Sequence, residues 1–316
     1  MSISGKLPYI FPSGNTMATM SNSHQEKKYP LRKPPWLRHT FKAGPSYEQT
    51  RSLLRNAGLH TVCQEARCPN LWHCFSKRTA TFLILGKYCT RFCRFCAVNG
   101  GIPEPLDKDE PARVAETITR MNLKYAVITS VTRDDLPDGG ASHFAATIKA
   151  ARDLYPPVPV EVLVPDFQGN MESVATVLDA EPVVFNHNLE TVPRLYKTAR
   201  PGADYRRSLD LIKAARTISP DIQVKSGLML GLGEKTCELR DMLQDLRNAG
   251  CSIVTLGQYL QPSSSHLPVV RYLNPAEFEA WGEEALKMGF SAVASGPLVR
   301  SSYNAAQLYS AAAAYI

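Results

Sequence analysis

A chain of 316 residues has the length for a sizeable core, either as two ordinary domains or as one large α/β barrel. Its 44% hydrophobic and 21% charged residues suit a globular protein, and no stretch reaches the ~20 uncharged apolar residues of a membrane span. The net charge of +7 comes partly from KKYPLRKPPWLR at 27–38 and suits an acidic partner, but no nucleic-acid-binding motif accompanies it, so a solvated basic arm is the simpler reading.

Residues 1–26 are polar, Ser/Asn-rich and aperiodic, which predicts a disordered leader. They lack the layout of a secretory signal and contain no arginine, so a cytoplasmic location is expected. Residues 27–79 form an N-terminal extension: an arm with tryptophan, prolines and basic residues, a short helix in SYEQTRSLLRNAGL (46–59), and a first group of cysteines.

From residue 80 short β-rich apolar runs alternate with amphipathic stretches. The runs are TFLILG (81–86), YAVITSV (125–131), VEVLVPDF (160–167), PVVFNHNLE (182–190), QVKSGLMLGL (223–232) and SIVTLGQYL (252–260). Helical spacing marks 111–121, 143–155, 205–218, 236–250 and 275–289. Such alternation implies right-handed crossovers and a parallel sheet, hence an α/β fold with a partial (βα)6 TIM-like barrel over 80–290 and a C-terminal extension over 291–316. The rival, a doubly wound open sheet, lacks its Gly-rich fingerprint after the first strand. Polar residues gather instead at strand C-terminal ends, as in barrel active sites: Thr129, Ser130, Asp166, Asn186 to Asn188 and Gln258.

Six of the eight cysteines lie between residues 63 and 96, an arrangement that favours metal ligands over disulfides. CTRFCRFC, just after the first barrel strand, supplies Cys89, Cys93 and Cys96 from one loop. Thiolates select zinc, Cu(I) or iron-sulfur clusters, and a zinc ribbon would need two paired C-x2-C knuckles where only Cys93 and Cys96 are so spaced. Three thiolates can instead cap three irons of a 4Fe-4S cube and leave the fourth open. Cys63, Cys68 and Cys74 form a second triplet, also one ligand short, with His73 beside it. Cys237 and Cys251 read as packing residues.

C-x3-C-x2-C after the first strand of a βα barrel, with Phe95 before the last cysteine, resembles the radical S-adenosylmethionine superfamily. GLMLGLGE (227–234), with Gly227 and Gly231, is similar to that family's adenine-contacting segment. The earlier C-x4-C-x5-C triplet and VRSSY at 299–303 resemble the lipoyl synthase branch more specifically, as do RFCAVNGG (94–101), TSVTRDDLPDGGA (129–141), FNHNLETV (185–192) and GQYLQPS (257–263).

The resemblance implies two 4Fe-4S clusters. One is held by Cys89, Cys93 and Cys96 with S-adenosylmethionine on the open iron. The auxiliary one is held by Cys63, Cys68, Cys74 and Ser302, with Arg300 orienting the C-terminal segment. It also implies cofactor contacts from Phe95, Thr129, Ser130, Arg133, Asn188, Glu190, Gly227 and Gly231, where strand-end caps or salt bridges are the plain alternative. The implied reaction inserts two sulfurs, drawn from the auxiliary cluster, at carbons 6 and 8 of an octanoyl chain on a carrier lysine. The carriers would be lipoyl domains of 2-oxoacid dehydrogenase E2 subunits or the glycine cleavage H protein. Further expected partners are an electron donor such as ferredoxin or flavodoxin and an iron-sulfur carrier, with no nucleic acid and no membrane. The alternatives are a sulfur-inserting relative resembling biotin synthase or a methylthiotransferase, and, in a different class, a non-catalytic electron carrier or zinc-stabilised module.

Overall fold

The computed structural model describes residues 31–38 and 44–314. The expected leader, and the arm at 27–30 and 39–42, lie outside them. The described residues pack as one unit around a main core.

Among the described residues eight strands follow one another around the sheet in chain order. They are β1 (His60–Thr61), β2 (Thr81–Ile84), β3 (Ala126–Ser130), β4 (Val160–Leu163), β5 (Val184–Asn186), β6 (Gln223–Leu230), β7 (Ile253–Gln258) and β8 (Ala292–Gly296). Neighbours from β2 to β8 pair in parallel, while β1 runs antiparallel to β2, with His60 opposite Leu83 and Thr61 opposite Phe82. All six expected strands are present. The seventh parallel strand, β8, falls where a C-terminal extension was expected, because AVASG is short and small-residued and lacks the long β-branched run of its neighbours.

The helices are α1 (Pro45–Asn56), α2 (Val62–Glu65), α3 (Leu71–Ser76), α4 (Glu110–Met121), α5 (Ala141–Arg152), α6 (Met171–Leu178), α7 (Tyr196–Ala199), α8 (Tyr205–Ile218), α9 (Thr236–Asn248), α10 (Pro275–Lys287) and α11 (Ala305–Ala313). Local chemistry sets their ends. Asn274 and Glu277 form a capping box at α10 with Pro275 in its first turn, and Asp204 caps α8 by accepting from the Arg207 N–H. Asn122 ends α4 in the left-handed conformation, φ 55°. The crossover helices pack neighbour to neighbour outside the sheet, so both faces of β2 to β7 are buried and their sequences read as continuous apolar runs. Within the described residues no helix is long and apolar enough to cross a membrane.

The sheet also buries charge. Lys225 on β6 and Glu161 on β4 meet at 2.8 Å with side chains 0% and 1% exposed, and the Tyr125 hydroxyl donates to the other Glu161 oxygen at 3.1 Å. Removing one partner strands the other in a dry interior. We therefore expect Lys225→Met to cost about 3–5 kcal/mol in urea unfolding, and Lys225→Met with Glu161→Leu to recover most of it. A single variant as stable as the parent would contradict this.

Candidate active site at the barrel mouth

The first cysteine group is built onto the barrel edge. β1 leads directly into α2, which carries Cys63; Cys68 follows in the loop and Cys74 lies on α3. The Thr61 hydroxyl caps α2 by accepting from the Gln64 N–H. α1 braces α3 from behind: Tyr47 stacks on Trp72 with centroids 4.3 Å apart, and the Thr50 hydroxyl donates to the Phe75 carbonyl at 2.9 Å.

The C-terminal RSSY segment comes back to the same place. Asn70 Nδ2, between Cys68 and Cys74, donates to the Leu298 carbonyl at 2.7 Å. A Cβ on Gly257 of β7 would collide with the Val299 carbonyl, so only glycine lets this segment lie so close to the strand. As a result one cavity of about 490 Å³ is lined by Cys63, Cys68, Cys74, Arg300 and Ser302 together with His73.

A second cavity, of about 620 Å³, opens beside it. Cys63, Cys68, Arg300 and Ser302 line this one too, and Phe95, Cys96, Asn188, Glu190, Gly227 and Ser301 stand with them. Residues 234 positions apart in sequence, Cys68 and Ser302, thus face common space through the returning C-terminal segment.

The CTRFCRFC loop follows β2 and is pinned from several sides. Arg91, between its cysteines, makes two bonds to Asp134 at 2.7 and 2.9 Å and reaches Asp166 at 2.6 Å, while Arg207 holds the other Asp166 oxygen at 2.8 Å. Burial raises the Asp166 pKa, but the Arg91 hydrogen bond and charge, aided by Arg207, outweigh it and bring it down to about 2. His266 contacts the Cys96 carbonyl at 2.9 Å. The Cys89 sulfur accepts from the Arg91 and Thr132 N–H groups at 3.4 and 3.3 Å.

All eight cysteines are free. Burial pushes the Cys63 and Cys96 thiols up to about 12 and Cys93 to about 11. Neighbouring cysteines of the same triplet add to each rise, and Arg200 opposes it at Cys93. Cys68 and Cys74 are raised by burial as well, with Arg300 opposing at Cys68. Any metal bound by these thiols would have to displace their protons. Among the described residues no group of three His, Cys, Asp or Glu is arranged to hold one metal ion. The donor chemistry fits a cube, since its thiolates bind separate irons rather than converging on one ion.

The other expected site residues divide. Phe95, Asn188, Glu190 and Gly227 line the larger cavity. Thr129 instead donates to the Leu163 carbonyl at 2.9 Å, Ser130 has a buried hydroxyl without a partner, and Arg133 is paired with Asp135 at 2.8 Å. Gly231, φ +99°, forms the turn after β6, where its N–H and that of Leu232 donate to the Glu234 carboxylate. Cys251 packs in the core as expected, whereas Cys237 does not pack: it is exposed on the first turn of α9.

Two observations fit the cradle at Gly227 to a polar cofactor. A Cβ there would stand 2.7 Å from Asn188 Oδ1, and that Oδ1 is buried without a partner. Glu190 beside it adopts φ 67°, an uncommon conformation for a non-glycine residue, held by bonds of 3.0 Å to the Gly227 carbonyl and 2.8 Å from the Met229 N–H. Burial raises the Glu190 pKa against the opposing charges of Arg200 and Arg300 and the Asn188 hydrogen bond. Sequence reasoning missed Arg91, Ser301 and His266, whose roles arise only from long-range contacts.

The fold and the cysteine loop define a radical SAM protein: the Radical SAM superfamily model matches residues 83–246. The crystal structure of Streptococcus suis SuiB bound to S-adenosylmethionine is similar in fold, with a TM-score of 0.51 at 10% identity over 65% of this chain and 46% of that one. A second family model, the N-terminal domain of lipoyl synthase of the Radical SAM family, matches residues 13–68. Lipoyl synthase of Desulfotalea psychrophila is 55% identical over 92% of this chain and 97% of its own length. That of Methylococcus capsulatus is 58% identical over 88% and 87%. The chain belongs to the lipoyl synthase family.

The clamp on the cysteine loop is open to test. Arg91→Gln removes charged hydrogen bonds to Asp134 and Asp166 and is expected to destabilise the metal-free protein by about 1.5–3 kcal/mol in urea unfolding. It should also lower iron uptake by that loop. Parental stability and uptake would show that the clamp does not hold it.

Proposed function

We propose that this chain is a lipoyl synthase that inserts two sulfur atoms at carbons 6 and 8 of a protein-bound octanoyl-lysine. One observation carries the reading: the three upstream cysteines and Ser302 face one cavity, and the adjoining cavity joins Cys63, Cys68 and Ser302 to Cys96, Asn188 and Glu190.

Those octanoyl carbons are unactivated, so no acid, base or nucleophile removes their hydrogens at neutral pH. When bound, the cluster at Cys89, Cys93 and Cys96 and S-adenosylmethionine supply a carbon radical that can, while the protein contributes binding, orientation and water exclusion. Two N–H donors point at the Cys89 sulfur and would tune a cluster held there. Asn188 Oδ1 offers a free acceptor to the cofactor's hydroxyl or ammonium groups, and Gly227 leaves the room for it.

An aliphatic chain needs an apolar path into this space. Leu37, Val62, Leu163, Met229, Leu260 and Val299 line the larger cavity and exclude water from the tail. Arg38 and Lys33, from the N-terminal arm, border it as well. Trp36 ties that arm to the barrel through a 3.2 Å bond from Nε1 to the Leu273 carbonyl.

At the other end, Cys63, Cys68, Cys74 and Ser302 would hold the auxiliary 4Fe-4S cluster as sulfur donor. A serine oxygen is a harder iron ligand than thiolate and less well matched to a cluster, so Ser302 would be the ligand that gives way most readily. The carrier would be an octanoylated lipoyl-carrier protein, with the modified lysine at the cavity entrance.

The direct assay is anaerobic: reconstituted protein, an octanoyl-lysine peptide, reductant and S-adenosylmethionine, with the peptide weighed by mass spectrometry. A gain of two sulfurs is expected, and deoxyadenosine without sulfur insertion would reject the function while keeping the superfamily chemistry. Ser302→Cys should retain both clusters but release iron poorly, lowering sulfur insertion; undiminished insertion would overturn the leaving role of Ser302.

A further inference from the structure

Asn188 stands just beyond β5 and spends both of its amide hydrogens inside the protein. One goes to Glu190 Oε1 at 3.0 Å and the other to Ser301 Oγ at 2.7 Å. Its oxygen, the one acceptor left, is buried without a partner. The same small space is ringed from three directions: a Cβ on Gly227 would lie 2.7 Å from Asn188 Oδ1, 2.7 Å from Ser301 Oγ and 3.0 Å from Thr255 Oγ1.

Ser301 is covalently next to Ser302, which faces the cavity of Cys63, Cys68 and Cys74. A displacement of Ser301 therefore moves two things together. It turns the Asn188 amide, and with it the acceptor offered at the Gly227 cradle, and it shifts the hydroxyl that faces the upstream cysteines.

We propose that Ser301 is a positioning residue that sets the register between the cofactor cradle at Asn188 and Gly227 and the sulfur-donating corner at Ser302. This rests on the lipoyl synthase reading above. Two insertions on one flexible chain require each carbon to face the hydrogen-abstracting side and then the sulfur side within one cavity. Misplacement by about 1 Å can cost roughly a hundredfold in a positioned reaction, whereas binding of each cofactor separately would survive it. Ser301 touches neither reacting carbon nor iron in this account; it acts through Asn188 and through its neighbour.

The test uses the full chain, with Ser301→Ala and Ser301→Thr compared with the parent. Loaded Ser301→Ala should keep the parental iron and sulfide content and still form deoxyadenosine, but sulfur inserted per deoxyadenosine should fall about tenfold or more. Ser301→Thr, which keeps the hydroxyl, should stay within about twofold of the parent, an outcome that a purely steric role would not give. In the unloaded chain, amide exchange across residues 299–303 should quicken about fivefold in Ser301→Ala, the loss of one ordinary hydrogen bond. A parental insertion ratio in Ser301→Ala, a Ser301→Thr as poor as the alanine variant, or unchanged exchange would each overturn the proposal. Ser302→Ala separates the two levels of argument. It should abolish sulfur insertion while deoxyadenosine still forms; full insertion would remove the lipoyl synthase reading of this corner, and the role of Ser301 with it.

Discussion

Residues 298–302 are held on the barrel by two hydrogen bonds from opposite partners: Asn70 Nδ2 to the Leu298 carbonyl at 2.7 Å, and Asn188 Nδ2 to Ser301 Oγ at 2.7 Å. The first partner belongs to the upstream cysteine segment and the second to the end of a barrel strand. The C-terminal segment is thereby the bridge between two chemistries that the sequence keeps more than a hundred residues from it. Arg300 shows the consequence, since its cation lines both cavities and feels both Cys68 and Glu190.

Each cysteine triplet brings three thiols to one place, and the two have different surroundings. Around Cys96 the open space contains a free acceptor, a cradle that tolerates only glycine, and apolar walls, all suited to a bound small molecule. Around Cys63, Cys68 and Cys74 the space is met by the chain's own Ser302. Each loop is also placed by contacts that need no metal: Arg91 with Asp134 and Asp166 for one, and α1 stacked against α3 for the other. Such scaffolding orders the thiols in advance, which lowers the cost of binding anything they hold.

Much of this was legible in the sequence because its signals are local. Strand runs, helical spacing and the tight cysteine motifs each fit within a short window, and β2 to β7 appear where the apolar runs predict them. β8 was not legible, since AVASG has neither the length nor the β-branched content of a buried strand and is specified by pairing with β7. Within the site, the cysteine triplets announced themselves, but Ser302 entered only through a family resemblance because Ser-Ser near a chain end is ordinary. Arg91 and Ser301 had no local signature at all: their partners Asp166 and Asn188 are 75 and 113 residues away. Thr129 and Arg133, placed at a strand end by the same reasoning, are engaged by the Leu163 carbonyl and Asp135.

A division of labour between the two triplets is tested by removing each of them separately. Protein with Cys63, Cys68 and Cys74 replaced by alanine should hold about four irons and cleave S-adenosylmethionine without inserting sulfur. Protein with Cys89, Cys93 and Cys96 replaced should hold about four irons and cleave none. Equal loss of cleavage in both, with folding intact, would contradict the account.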